Sequence, residues 1–463
     1  MKRSLVLENG SRIAVIGGGP AGSFFAHFIQ KYSNQKGIDI SLTIFDGKDF
    51  IQRGPRGCNL CAGVLSESLH QKLNDEGIFL PENRIINRID GYELHVNAQH
   101  LLLTCTENNK SKIATVFRGN GPRYSTFPDT ISFDDFLLSH AQDKGARVIA
   151  HPVWDIILPH DKKEPLNILF GEKKHPQKFE ADLVVGAFGV NSHFMKKIQG
   201  LNFGYKPPST LITYQGELKL GKEKVAEKFG NNIHVYMPRS KIIKYATVIP
   251  KGEYISITLV GAKDATKNIF YEFKNLKEIQ REITLSQPQC FCYPRILVSP
   301  SKYPFTNGLV IIGDASFSRH YKNGIESAFM TAKIAAETAV KIGIDDSCFF
   351  SYYYKKAKKL IIRDNYYGRF LFLINDFISF IPFLTTYHLS MARQRDEKLS
   401  SKKIRIILWN MFAGSIPYKE IFKMILDIRL QLSLFLNTVK LLMVKLSDGI
   451  MKLKPGSSDA RKT

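Results

Sequence analysis

One stretch constrains this chain most: Arg12-Ile13-Ala14-Val15-Ile16-Gly17-Gly18-Gly19-Pro20-Ala21-Gly22. The apolar run Ile13 to Ile16 reads as a buried strand. Gly17, Gly19 and Gly22 follow at the G-x-G-x-x-G spacing. Pro20 and Ala21 open a helix whose apolar face carries Phe24, Phe25, Phe28 and Ile29. Such a loop needs glycine because the turn is tight, the backbone must approach a pyrophosphate, and the helix must pack on the strand. The helix N-terminus then turns its unpaired N–H groups toward the phosphates. A second strand, Ile40 to Phe45, ends at Asp46, placed to hydrogen-bond a ribose hydroxyl. Strand, glycines, helix, strand and acid in this order predict a dinucleotide site for FAD or NAD(P) on a parallel α/β sheet.

The 463 residues are enough for two or three structural units, and their net charge is +23. That excess implies an anionic partner. It is uneven: Ser351 to Thr463 hold 21 Lys+Arg against 8 Asp+Glu. These basic residues alternate with long apolar helical patterns rather than exposed aromatic platforms, so an anionic membrane surface is the expected partner and nucleic acid is not. Six cysteines in a chain of this length do not make a disulfide framework. With no apolar signal core ahead of the first strand, the expected place is the cytoplasm, on the inner face of the membrane.

Four regions are expected. Residues 1–200 hold the first part of the dinucleotide domain, including a loop rich in Gly, Arg and Cys from Arg53 to Gly63. Two helices are marked there by Ser66 and by Ser132-Phe133-Asp134. Residues 201–300 are β-rich, with turns at Pro238-Arg239-Ser240 and Lys251-Gly252, and predict an antiparallel substrate sheet. Residues 301–345 return to the dinucleotide domain through a strand ending at Gly313-Asp314 and an alanine-rich helix. Residues 346–463 are helical and basic. Phe370 to Thr386 is strongly apolar, but Asn375, Asp376 and Pro382 interrupt it and it is short for a span. Ile421 to Leu446 reads as one long helix with Ile421, Ile425, Ile428, Leu432 and Phe435 on a stripe. It is expected either buried in its own domain or lying in a membrane interface.

The glycine loop near the start and Gly313-Asp314 at the end of a late strand together resemble the FAD-dependent para-hydroxybenzoate hydroxylase-like superfamily, and most of all its geranylgeranyl reductases. The likeness runs from about Arg12 to about Lys341. It implies FAD as cofactor, with Asp314 at the ribityl chain and Asn323-Gly324-Ile325 turning into a helix over the isoalloxazine. Cys61-Ala62-Gly63-Val64-Leu65-Ser66 resembles the reductases' Cys-Gly-x-x-Leu-Ser segment, which implies a cysteine near the flavin. Tyr245-Ala246-Thr247-Val248-Ile249-Pro250 resembles their substrate pattern Tyr-x-Trp-x-Phe-Pro, with Thr247 and Ile249 in place of the two inner aromatics. Phe188-Gly189 stands where the superfamily has Asp-Gly, which favours an electron donor other than NAD(P)H. Thr130 holds the place of the arginine usual before the Phe-Asp helix, for which Arg118 and Arg123 are the substitutes. The implied fold is a Rossmann-like FAD-binding domain with an inserted antiparallel sheet and a C-terminal helical region.

The cysteines leave three readings open: a redox pair at Cys58-x-x-Cys61, half of a metal site shared with Cys290-x-Cys292, or ordinary loop residues. A metal needs four ligands at matched distances, and no metal is assigned. The candidate catalytic residues are Cys61, His320 and Tyr321. The candidate cofactor residues are Gly17, Gly19, Pro20, Ala21, Gly22, Asp46, Arg123, Gly313, Asp314, Gly324 and Ile325. Tyr245, Thr247 and Ile249 are the candidate substrate residues. Three functions fit: a reductase acting on double bonds of an isoprenoid or lipid, an FAD monooxygenase on a hydrophobic substrate, and a non-catalytic flavin- and membrane-binding protein.

Overall fold

The computed structural model describes residues 5–59, 61–96, 99–104, 113–262, 265–276, 279, 281–321, 324–380, 389–393, 399–436, 439 and 443. Of the expected features, Leu60, Asn323, Pro382 and nearly all of the helical pattern beyond Leu436 fall outside these residues.

A six-stranded sheet forms the first layer, in the order Phe305–Thr306, Leu309–Ile311, Leu183–Gly186, Ser11–Ile16, Ile40–Phe45, Arg147–Ile149. The last five strands run parallel and the first is antiparallel to its neighbour. Helix Pro20–Lys36 packs on this sheet together with helices Phe133–Asp143 and Gly324–Lys341. The helix caps read from sequence form: the hydroxyls of Ser66 and Ser132 accept from the backbone N–H of Leu69 and Asp135. Alanines at 328, 332, 335, 336 and 339 are all buried where Gly324–Lys341 lies close against Pro20–Lys36.

The second large sheet has eight strands and is mostly antiparallel. Strands Thr210–Lys219, Asn232–Met237, Ile243–Lys251 and Tyr254–Gly261 supply its centre, and the turns fall at 238–242 and 252–253. Two further strands, Gly91–Val96 and Gln99–Thr104, join it from the first two hundred residues, Gly91–Val96 pairing parallel with Asn232–Met237. One face of this sheet carries Tyr92, Leu94, Ile233, Val235 and Ile249 and packs on the C-terminal helices through Leu371, Trp409, Tyr418 and Ile421. The other face carries Tyr236, Ala246, Val248 and Ile257 and is covered by helices Lys222–Phe229 and Ile269–Lys274.

The C-terminal region is helical over Arg363–Phe380, Leu399–Ala413 and Tyr418–Ile425. The single long helix expected from Ile421 is broken. Leu426 ends one helix, and the Asp427 carboxylate accepts from the N–H groups of Arg429 and Leu430, starting the next over 428–436. The stripe divides accordingly: Ile421 is buried, whereas Ile428, Leu432 and Phe435 are exposed and Leu430 turns inward instead. Among the described residues, no helix is long and apolar enough to cross a membrane.

Candidate active site

A single cavity of about 1180 Å³ runs from the glycine loop to the apolar face of the second sheet and the C-terminal helices. Ligand pockets usually hold about 300–1,000 Å³, so there is room for a dinucleotide and a second molecule. At one end Gly17, Gly19, Pro20, Ala21 and Asp46 line it. Helix Pro20–Lys36 begins there without a side-chain cap, leaving its first N–H groups to the cavity. The glycines divide the work as the turn requires. A Cβ on Gly17 would lie 2.6 Å from the Ala187 carbonyl oxygen, and its φ is +110°. One on Gly22 would lie 1.9 Å from the Gly17 oxygen. Gly22 and Gly313 therefore sit one layer behind the wall, where chain crosses chain. Gly19 is different: its added Cβ would meet only the Asn59 side chain, at 3.1 Å, so its backbone is open toward the cavity.

Asp46 accepts from the backbone N–H of Gly18 at 2.6 Å and of Lys48 at 2.8 Å, while burial raises its carboxyl above the usual range. Asp314 lines the cavity from the far side. It is partly buried, burial raises its carboxyl above the usual range, and its Oδ1 has no hydrogen-bond partner among the described residues. Helix Gly324–Lys341 starts beside it, with a Cβ on Gly324 placed only 3.2 Å from Asp314 Oδ2. An open glycine backbone, an uncapped helix start and an orphaned carboxylate oxygen fit a dinucleotide carrying both phosphates and hydroxyls.

The cysteine loop forms the next part of the wall. Cys61 and Ala62 line the cavity, and Cys61 Sγ accepts from the Gly63 N–H at 3.5 Å. Arg118 lies beside them in a buried fork on Asp134, through Nε to Oδ1 and Nη2 to Oδ2 (2.8 Å). Asn59 also donates to Asp134, and Lys48 Nζ reaches the Asn59 side chain at 3.0 Å and the Cys58 carbonyl at 2.8 Å. Arg118 and Lys48 both line the cavity and bring positive charge to it. Cys58, Cys61, Cys290 and Cys292 all border a second, small cavity of about 40 Å³, which shares Cys61, Arg118 and Gln215 with the large one. The two cysteine pairs thus meet. Their sulfurs are nevertheless not gathered as a metal-ligand group among the described residues. Burial pushes the Cys290 thiol up to about 11 and that of Cys292 further, so both remain protonated at neutral pH.

At the other end Tyr245, Thr247 and Ile249, spaced two apart on one strand, all face the cavity. Tyr321, with left-handed φ of 59°, lies against them: its carbonyl accepts from the Tyr245 hydroxyl at 3.4 Å. The Lys244 ammonium lies 5.1 Å from the Tyr321 ring and pairs with Asp376 at 3.3 Å. Phe372, Asn375, Asp376, Met411 and Phe412 of the C-terminal helices complete the wall.

Besides Gly22 and Gly313, two further expected site residues lie outside the cavity wall. Arg123 is exposed and packs outside the cavity against Gly54, because the turn through Gly121, at φ 93°, and Pro122 carries the chain outward. Arg118, sixteen residues from its partner Asp134, is the arginine that faces inward. His320 is not part of the cavity wall. It stands behind Tyr321, ring centroids 4.0 Å apart, and burial lowers its pKa to about 4. Its backbone N–H is held by Asn365 and its carbonyl by the Tyr418 hydroxyl, so it braces Tyr321. Sequence reasoning missed Asn59, Lys48 and the C-terminal wall residues. Asn59 and Lys48 were detectable only as polar residues flanking the acid and the cysteine loop.

No protein-family model matches the chain. It is 22% identical over 253 residues to the geranylgeranyl diphosphate reductase of Synechocystis sp., covering 53% of this chain and 54% of that protein. The match thus spans about half the length of that curated relative. Among solved structures, a geranylgeranyl bacteriochlorophyll reductase-like protein from Thermoplasma acidophilum superposes with a TM-score of 0.65 at 18% identity, over 91% of this chain and 99% of that one. A flavin-dependent brominase superposes at 0.60 with 17% identity, over 82% and 93%. The flavin-dependent halogenase CmlS does so at 0.60 with 15%, over 90% and 76%. The chain therefore has the fold of the FAD-dependent oxidoreductases, with geranylgeranyl reductase-like proteins and flavin-dependent halogenases as its neighbours.

Proposed function

We propose that this chain binds FAD and reduces double bonds in a hydrophobic, isoprenoid- or lipid-like substrate drawn from a membrane surface. The observation that carries this reading is the continuity of the cavity, polar and open-backboned at the glycine loop and apolar at the sheet. Gly17, Gly19, Asp46 and Asp314 would hold the cofactor, and Lys48 and Arg118 would face its anionic groups. Bound FAD supplies the two-electron chemistry. The chain's own part is to exclude water with Ile249, Ile233, Val235 and Phe412 and to deliver a proton. Cys61 Sγ is the group assigned to that delivery, because it lies on the wall between the glycine loop and the sheet. Tyr321 shapes the substrate end and His320 holds it in place.

Helix Arg363–Phe380 supports the membrane part of the proposal. Tyr366, Phe370, Leu373 and Phe377 form one exposed stripe at helical spacing, with Leu373 65% and Phe377 63% accessible. The same helix sends Phe372, Asn375 and Asp376 into the cavity wall. An anionic bilayer against the stripe, held by the basic excess of residues 351–463, would lie close to the apolar end of the cavity. The test is anaerobic reduction of the purified flavoprotein, followed by a polyprenyl lipid or by oxygen. Stoichiometric loss of a double bond supports the reductase. Oxygen-dependent product instead makes it a monooxygenase, and no reaction with either leaves a binding protein.

A further inference from the structure

The back of the second sheet holds a group of side chains that the redox site does not use. Glu93 and His95 are two apart on the strand Gly91–Val96 and so share a face. The register pairs Glu93 with His234 and His95 with Tyr236 on the neighbouring strand. His95 is also paired with His100 across the hairpin, whose second strand is the sheet edge. Among the described residues, Glu93, His95 and His234 are the one group of three metal-ligating side chains with ligand atoms all within 4.8 Å of one another.

We propose that Glu93, His95 and His234 form a zinc site that clamps the hairpin 91–104 to the sheet. His234 is buried, and its Nε2 is 3.2 Å from the Phe229 carbonyl. A carbonyl only accepts, so Nε2 carries the proton and Nδ1 presents its lone pair. This is the arrangement in which a ligating histidine is fixed by a backbone acceptor on its other nitrogen. His95 Nε2 lies 3.0 Å from that Nδ1, and its ring is held flat on Tyr236 at 4.3 Å. Two nitrogens each about 2.0–2.1 Å from a tetrahedral zinc stand about 3.3 Å apart, so little movement is needed. Glu93 Oε2 lies 3.7 Å from His234 Nε2 and Oε1 lies 3.7 Å from His100 Nδ1, both beyond hydrogen-bond reach. Because His234 Nε2 carries the proton, a cation would sit at Nδ1 with the Glu93 carboxylate turning to join it, and the exposed His100, 3.7 Å from Glu93, is placed to close a four-ligand shell. Two imidazoles and a carboxylate are borderline donors that suit zinc. The front of the same strands carries Tyr92, Ile233 and Val235 in the cavity wall, so the clamp would stiffen the substrate end from behind.

The experiment uses the full-length, tag-free protein stripped with a chelator. Zinc is titrated against a chromogenic competitor, and cobalt replaces it for the visible spectrum. The expected result is one tight equivalent and a zinc-dependent rise in the thermal midpoint. His95→Gln and Glu93→Gln should each weaken binding by more than the ~10–100-fold typical of an outer-shell change. Cobalt bands without a sulfur-to-cobalt charge-transfer band would assign nitrogen and oxygen ligands. Equal zinc affinity in wild type and in either variant overturns the proposal. Strong charge transfer in the wild type also overturns it, because the metal then sits on the cysteines, and that reading holds even if a variant fails to fold.

Discussion

Gly19→Val separates cofactor binding from folding, which the other loop glycines do not. At Gly19 the backbone is ordinary, with φ of −67° and ψ of −175°, and an added Cβ meets only the movable end of Asn59 at 3.1 Å. The residue caps helix Pro20–Lys36, so the folding cost is that of replacing a glycine N-cap, about 1 kcal/mol. The valine methyls nevertheless project into the space that the open backbone leaves for a pyrophosphate. At Gly22 the contrast is complete. Its Cβ would stand 1.9 Å from the Gly17 oxygen and 3.1 Å from Val15 Cγ1. Backbone must move there, at a cost at or beyond the ~1–3 kcal/mol of overpacked cores, and loss of flavin would follow from misfolding alone. The assay is thermal unfolding of deflavinated protein with and without FAD, beside the flavin retained on purification. FAD at one hundred times its Kd stabilises a folded protein by about 2.7 kcal/mol. Wild type should show that shift. Gly19→Val should fold with an unchanged circular dichroism spectrum, come off the column colourless and show no shift. A yellow Gly19→Val protein with the wild-type shift would refute the placement of the cofactor on this loop.

Cys61→Ser should keep FAD and the fold but lower the rate of double-bond reduction at least about a hundredfold, the low end of what a positioned proton donor contributes; unchanged kinetics would return Cys61 to packing. His320 has a folded pKa of about 4 against an ordinary 6.5, so the folded state refuses a proton that the unfolded chain accepts. The stability it contributes is complete above pH 6.5 and is lost as pH falls from 6.5 toward 4, at up to about 1.4 kcal/mol per unit. Denaturation midpoints of His320→Gln against pH should show a shallower acid limb than wild type, and an identical limb would remove His320 from that account. For membrane docking, the test must spare Leu371, Trp409 and Tyr418, which belong to the core. The triple change Phe370→Ser, Leu373→Ser and Phe377→Ser touches only exposed side chains, and it should abolish flotation with anionic liposomes at low salt; unaltered flotation would count against the stripe.

The cofactor end of the site was legible because its constraints are local. Gly17, Gly19 and Gly22 are needed within six residues, and a strand and a helix must flank them, so a short window of sequence holds the whole requirement. Tyr245, Thr247 and Ile249 were legible for a related reason, since a period of two puts all three on one face whichever strands lie beside them. Arg118 and Arg123 show where that stops. Both are arginines in the same glycine-rich loop, and only the positive φ of Gly121 and the buried carboxylate of Asp134 decide which one turns inward. Neither fact has a sequence period. The His95–His234 pair is hidden more deeply: the two are 139 residues apart, and only the parallel pairing of Gly91–Val96 with Asn232–Met237 brings them together.

The C-terminal helices carry the same lesson to function. Asn375 and Asp376 look, in sequence, like faults in an apolar segment, and they argue against a membrane span. In the fold both border the cavity, Asp376 from a half-exposed position, on a helix whose outer side is the exposed stripe. Asp376 meets Lys244 at 3.3 Å, and Asn375 Nδ2 reaches Met237 Sδ at 3.8 Å, both partners belonging to the cavity wall. An amphipathic helix normally turns its apolar side to the protein and its polar side to water. Here Leu371 enters the core and Asn375 and Asp376 border the cavity, while Tyr366, Phe370, Leu373 and Phe377 stay exposed. The exposed apolar stripe thus lies on the helix that also borders the end of the cavity lined by Tyr245 and Phe372. A substrate with a polar head and a long apolar tail would find both surfaces matched along one helix.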